Sequence, residues 1–238
     1  MYSLVVSIFI ICIKILKVTC ESSDCLTLKT SITQKIEHEG FHREIWWLLE
    51  TSEPSTDVWL NSECKLILRL DVTSGMFINP DEIGELRRMG ELCALIVGQI
   101  DIEAAAHEAN EHVLYIFLNN SMIDKMQVFV PFHLRYQRAQ IAGDYGKVGF
   151  RNPSLLTRCP KGLNQICNKG LKVEAPCDEN NNELCIWRNV SYSSYFDNVE
   201  LFVPVGDLDH YPLVSIVTLL LGCAGCIYIL SVLSSSHL

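Results

Sequence analysis

Between Lys125 and Arg138 apolar and polar side chains alternate along the chain. Met126, Val128, Val130, Phe132, Leu134 and Tyr136 take the even positions, and Lys125, Gln127, Phe129, Pro131, His133, Arg135 and Gln137 the odd ones. A period of two places each set on its own face of an extended chain, which predicts a long amphipathic strand with its even face on a core. Pro131 has no N–H to donate to a ladder and belongs at an edge or a bulge. His133 and Arg135 then project side by side from the more polar face.

Shorter strand-like runs recur at Ile45–Leu49, Lys65–Asp71, Leu92–Val97, Val113–Leu118 and Val199–Val205. Turn-forming residues separate them at Ser52-Glu53-Pro54, Thr73-Ser74-Gly75, Asn119-Asn120, Gly143–Gly149 and Glu179–Asn182. Several strands at this spacing predict a mainly β domain, β-sandwich-like, with one short helix. The helix begins at Asn79-Pro80-Asp81-Glu82: Asn79 is a good N-cap, Pro80 suits the first helical position and the acids suit the positive end of the dipole. Glu82, three beyond the cap, can answer it as in a capping box. Ile83 and Leu86 give an inner face, Arg87 and Arg88 suit the last turn, and Gly90 can close it.

Two apolar runs change the picture from a soluble domain to a membrane protein. Leu213–Leu233 holds 21 residues without a charge. At ~1.5 Å per residue it spans about 30 Å, one hydrocarbon thickness, so a transmembrane helix is expected there. Near the start, Leu4–Ile13 has the length of a signal-peptide core, and Val18-Thr19-Cys20 offers a cleavage site that leaves Glu21 first. A signal anchor is the alternative, but Lys14 interrupts the run well short of a span. The expected layout is a signal peptide over 1–20, a luminal β-rich domain over 21–212, a transmembrane helix over 213–233 and a short cytoplasmic tail over 234–238. A removable lipid-attachment signal is the rival reading of the tail. It fits poorly, because Gly206-Asp207-Leu208 lacks a third small residue and the polar spacer is too short.

The formal net charge is -9 and no dense Lys/Arg block exists, which argues against a nucleic-acid partner. Of the 11 cysteines, Cys12 lies in the expected signal and Cys223 and Cys226 in the expected span. The others, Cys20, Cys25, Cys64, Cys93, Cys159, Cys167, Cys177 and Cys185, face an oxidising compartment where disulfides are the default. Cys159/Cys167 and Cys177/Cys185 have equal gaps, so two local loops or a crossed pair are both open. Cleavage after Cys20 would leave an odd number and one unpaired thiol. The spacing is wider than zinc sites favour, and no metal or cofactor is expected. Asn119-Asn120-Ser121 and Asn189-Val190-Ser191 are glycosylation acceptors, whereas Pro153 excludes Asn152.

Nothing here spells a nucleophile elbow, a phosphate loop, a zinc helix or a dinucleotide fingerprint. Asp207-Leu208-Asp209 has the Asp-x-Asp form of some sugar transferases, but it lies beside the span and reads as a juxtamembrane spacer. Asp101-Ile102-Glu103 reads as a strand-end turn. His133 with Arg135 could hold a phosphate or carboxylate, and His133 could move a proton near neutral pH. No second acid or nucleophile lies near them in sequence, so both are expected to serve structure or partner contact, and no catalytic residue is expected. In the span, Thr218, Gly222 and Cys226 recur every four residues with Gly225 adjacent, a small-residue ridge suited to close helix approach.

Several ordered motifs resemble the PIG-X family. They are Ser74-Gly75-Met76-Phe77-Ile78-Asn79-Pro80-Asp81-Glu82-Ile83, Phe129-Val130-Pro131-Phe132-His133-Leu134-Arg135-Tyr136, and Asn152-Pro153-Ser154-Leu155-Leu156. Ala175-Pro176-Cys177 with Cys185-Ile186-Trp187, and Val203-Pro204-Val205-Gly206, complete the set. The resemblance covers roughly residues 64 to 233; the first 60 residues show no match. It implies an accessory subunit of the first mannosyltransferase of glycosylphosphatidylinositol (GPI) anchor assembly. Such a protein is a single-pass type I glycoprotein of the endoplasmic reticulum. It has no catalysis of its own and stabilises a multi-span catalytic partner that takes mannose from dolichol-phosphate-mannose. The alternative from topology alone is a cell-surface type I β-sandwich binding module or receptor.

Overall fold

The computed structural model describes residues 25–160, 165–166, 170–180, 183–197 and 199–235. The expected signal peptide, Cys20 and Cys167 lie outside the described residues. The strands, in chain order, are β1 (Cys25–Leu26), β2 (Lys29–Glu37), β3 (His42–Glu53), β4 (Lys65–Val72), β5 (Met76–Phe77), β6 (Ala94–Val97), β7 (His112–Phe117) and β8 (Lys125–Leu134). They continue with β9 (Tyr145–Gly149), β10 (Ser154–Arg158), β11 (Gln165–Ile166), β12 (Lys172–Pro176), β13 (Leu184–Val190), β14 (Ser193–Ser194) and β15 (Glu200–Pro204). Among the described residues three α-helices join them: α1 (Thr56–Ser62), α2 (Pro80–Met89) and α3 (Tyr211–Ser235).

Two sheets carry the domain, a five-stranded one in the order β14-β2-β3-β8-β5 and a six-stranded one in the order β12-β13-β10-β4-β7-β6. They face each other across one apolar core. Ile32, Ile45, Trp47, Val130 and Phe132 enter it from the first sheet, and Leu68, Leu70, Leu114, Ile116 and Leu155 from the second. The alternation explains this directly: in β4, Leu66, Leu68, Leu70 and Val72 point inward while Ile67 turns to the opposite face. On that face Ile67, Tyr115, Leu156, Ala175 and Trp187 make a second cluster. Trp187 is fully buried, donates from Nε1 to the Pro176 carbonyl at 3.1 Å, and lies under the Arg158 guanidinium. The expected mainly β, sandwich-like fold is what forms.

Helix α2 starts as its residues dictate. Asn79 accepts a hydrogen bond from the Asp81 N–H at 3.0 Å, Pro80 opens the helix, and Gly90 closes it in the left-handed region at φ 76°. The expected capping box does not form, because the Glu82 carboxylate turns to another partner, described below.

Three expectations need correction. The strand read over Lys125–Arg138 ends at Leu134, so Tyr136 leaves the core face and is 73% exposed. The chain turns there because β5 binds the strand end: the Arg135 N–H donates to the Gly75 carbonyl at 2.9 Å. The Gly143–Gly149 stretch, read as a turn, holds β9, whose backbone pairs with β15 from Tyr145↔Pro204 to Gly149↔Glu200. Its glycines hide a strand because pairing is a backbone property. The disulfides match neither arrangement left open, two local loops or a crossed pair: Cys177 does close a local loop with Cys185, but Cys159 bonds Cys64, 95 residues away. Strand pairing sets the latter, since Arg158↔Lys65 closes the β10–β4 ladder and brings the next residue on β10 beside the one before β4.

Helix α3 has 25 residues, or 28 counted with the 3₁₀ turn Leu208–His210 that leads into it. None of its residues is buried against the domain. At ~1.5 Å per residue it is about 37 Å long, enough to cross a membrane, and its apolar composition fits a single-pass membrane protein.

Candidate functional site

The two motifs that stand out in sequence, Ser74–Ile83 and Phe129–Tyr136, meet in space. β8 pairs with β3 along most of its length, and β5 covers its other flank only at the end, with Met76 opposite Leu134 and Phe77 opposite His133. Pro131 precedes that short cover, so it sits where β8 is an edge strand. Gly75 lies so close to β9 that a Cβ there would meet Val148 Cγ1 at 2.7 Å. Any side chain at this position would have to shift the Val148 side chain.

The register lines up three rings across the sheet, with His42 opposite His133 and His133 opposite Phe77. The His133 ring centroid is 4.7 Å from that of His42 and 4.9 Å from that of Phe77, nearly parallel to the latter at 14°. Arg135, two residues along the same face, places its guanidinium carbon 4.6 Å from the Phe77 centroid. Phe77 therefore packs against both His133 and Arg135.

Chain direction brings the next part. After β5 the chain caps α2, and the first turn of α2 returns Glu82 to the strand. His133 Nε2 lies 3.0 and 3.1 Å from the two Glu82 carboxylate oxygens. A carboxylate only accepts, so Nε2 carries the proton and donates. Half-buried, with side-chain exposures of 23% and 34%, the pair ties helix to sheet.

Arg135 was expected to project outward; it is buried, at 3% exposure. Its Nη1 donates to the carbonyls of Asp101 and Ala104, each at 2.6 Å. Those two carbonyls belong to the loop between β6 and β7, which carries the Asp101-Ile102-Glu103 turn. Burial pulls the arginine below its usual pKa, against the opposing charge of Asp101. A buried guanidinium holding a loop cannot also receive a partner, so this residue is removed from the candidate contact surface. His112 is its buried neighbour in charge. The Ile78 N–H donates to His112 Nε2 at 3.2 Å, and burial together with the Arg135 charge pushes the imidazole down to about 4.

Chemically, His133 and Glu82 are an imidazole–carboxylate pair, and the acid that sequence distance hid is present. With His42 they also bring three potential ligand atoms within 4.8 Å of one another, a set that could hold a divalent ion. Four concavities of about 420 to 710 Å³ among the described residues are lined by other residues. The described contacts make this pair a clasp between α2 and β8.

The remaining candidates lie elsewhere. Asn119 is exposed and caps a 3₁₀ turn, its side chain accepting from the Ser121 N–H at 3.0 Å. Asn189 is half-buried within β13, opposite Leu156. Thr218, Gly222 and Cys226 are exposed on α3, and a Cβ added at Gly222 or Gly225 would meet nothing within 4 Å. Cys93 is a free, half-buried thiol whose pKa burial raises.

Comparison with known sequences gives a consistent result. The sequence model of the PIG-X / PBN1 family matches residues 38–234. A human protein named GPI alpha-1,4-mannosyltransferase I, stabilizing subunit, is 31% identical over 194 residues, covering 80% of this chain and 74% of its own. Proteins of the same name from Rattus norvegicus and Mus musculus are each 30% identical over 80% of this chain, covering 76% and 75% of their own lengths.

Proposed function

The chain belongs to the PIG-X / PBN1 family, and from that premise we propose that it is the non-catalytic subunit that stabilises GPI mannosyltransferase I, the enzyme that adds the first mannose to the GPI-anchor precursor. One observation carries the reading: the likeness to relatives of that name extends over 80% of the chain, and the family match runs through the β-domain into α3. The chain's own chemistry supports it. The two side chains most suggestive of catalysis hold the fold together, His133 by clasping Glu82 and Arg135 by holding a loop.

In this reading the catalytic partner is a multi-span membrane protein, and the complex resides in the endoplasmic reticulum. Residues 1–20 are removed as a signal peptide, 21–212 form the luminal domain, 213–233 cross the membrane and 234–238 end in the cytoplasm. Asn119 and Asn189 are the glycan acceptors. The small-residue ridge Thr218/Gly222/Cys226, uncovered among the described residues, is the face that α3 offers to a partner helix. His133, still partly exposed beside His42, is the candidate contact on the domain.

The test is co-purification. A tagged full-length chain extracted in mild detergent is expected to bring down the mannosyltransferase catalytic subunit. Recovery of the chain without it, under conditions that preserve other membrane complexes, contradicts the proposal.

A further inference from the structure

We propose that the turn from Tyr136 to Tyr145, together with the juxtamembrane turn Leu208–His210, rests on the surface of the bilayer that α3 enters, and inserts apolar side chains among zwitterionic phospholipid headgroups.

The first support is exposure. Tyr136, Ile141, Tyr145 and Tyr211 are 60 to 75% exposed and Leu208 is 46% exposed. A large aliphatic such as Ile141 at a turn tip, 75% exposed, has no packing role in the domain. The second support is position. The Gln140 N–H donates to the Gly206 carbonyl and the Leu208 N–H to the Gln140 carbonyl, each at 2.9 Å. The Val205 N–H donates to the Asp144 carbonyl at 3.0 Å, and Gln140 forms a parallel bridge with Asp207. The 136–145 turn is thus fastened by backbone to the segment that becomes α3, with no linker between.

Geometry sets the depth. Leu208 precedes Leu213, the first residue of the uncharged run, by five residues. At ~1.5–2.0 Å per residue that is about 8–10 Å outside the hydrocarbon. Elements lying in the interface bury their apolar faces ~5–10 Å into the headgroup boundary. Tyrosine is the residue that favours this layer, with its ring toward the chains and its hydroxyl toward water.

Charge selects the lipid. Across 136–145 and 205–211 the charged residues are Arg138 against Asp144, Asp207 and Asp209. An acidic rim gains nothing from anionic lipid, so the contact is apolar and needs no negative headgroup. It needs only that α3 crosses the bilayer, whatever protein partner the chain has.

The test reconstitutes the full chain alone in phosphatidylcholine vesicles, with and without bromine high on the acyl chains. Ile141→Trp adds a reporter at an exposed position, and Tyr145→Trp repeats the measurement. Leu220→Trp, in the middle of α3, reports the span independently. The added Ile141→Trp emission is expected to be blue-shifted from that of a water-exposed indole and quenched by the brominated lipid, unchanged when phosphatidylserine is included. Emission at the water position without quenching, while Leu220→Trp is quenched, overturns the inference and leaves the span intact. Quenching that requires phosphatidylserine also overturns it. An unquenched Leu220→Trp overturns the span and the inference together.

Discussion

His133 Nε2 donates to the carboxylate of Glu82 at 3.0 Å, joining the end of β8 to the first turn of α2 across 51 residues of sequence. The contact makes one unit of two motifs that look independent in the chain. Being half-buried, it is expected to contribute like a favourable surface pair. A double-mutant cycle with Glu82→Gln and His133→Asn should give a coupling energy of about 1 kcal/mol in chemical denaturation, since the two groups touch. Additive losses would show that the pair is an incidental neighbour contact.

Arg135 should matter more. Replacing it by Met keeps the length and the apolar stem but leaves the Asp101 and Ala104 carbonyls without their donor. The expected cost is on the order of 2–3 kcal/mol, the scale of an unsatisfied buried polar contact to a charged group. Hydrogen exchange should localise the loosening to residues 99–106. Binding of the catalytic partner should fall only in proportion to the folded fraction, which separates this residue from a contact residue.

The two disulfides among the described residues should differ in weight. Closing 95 residues removes more freedom from the unfolded chain than closing 8, by about 2 kcal/mol in the loop-entropy description. Cys64→Ser with Cys159→Ser should therefore lower the melting temperature more than Cys177→Ser with Cys185→Ser. Equal losses would contradict the assignment of Cys159 to a long-range bridge.

Acid should weaken the domain through His112. Its imidazole is held down to about 4 in the fold against an ordinary value near 6.5. Below 6.5 the unfolded chain takes up a proton that the folded chain refuses until about 4. Stability is therefore full above 6.5 and falls as pH drops through that window, by on the order of 2 kcal/mol. His112→Gln, which keeps an acceptor for the Ile78 N–H, should flatten the slope between pH 6.5 and 4 in urea melts. An unchanged slope would place the acid sensitivity elsewhere.

Much of the fold was legible because its elements are strongly patterned. The alternation in β8, the Asn79 cap with Gly90, and the uncharged run from Leu213 each declare one structure through local chemistry. The strands that escaped reading are those whose faces do not alternate cleanly. β9 reads Tyr-Gly-Lys-Val-Gly, with Val148 its one buried residue, and β13 exposes Leu184 and Ile186 on one face while burying Trp187. The helix α1 escaped because it is seven residues long and its cap, Ser55, makes no side-chain hydrogen bond.

The candidate site was legible only in part. His133 stands out from its place on the polar face of a strand. Its spacing from Asn79 gives Glu82 a place in the helix cap, because local spacing cannot show that a strand will return beneath it. The charge of Arg135 and its place on the polar face both point to the surface. Burial became affordable only when a loop 31 residues away in sequence supplied the Ala104 carbonyl. The signal that could have joined them is the pairing of β5 with β8, and register between distant strands is a tertiary property.

The most direct test of the central claim is the amount of the mannosyltransferase catalytic subunit in cells with and without this chain. Deletion is predicted to lower that subunit and to deplete GPI-anchored proteins from the cell surface, with both restored by the full-length chain. Normal abundance of the catalytic subunit with unchanged surface GPI-anchored proteins would contradict the account.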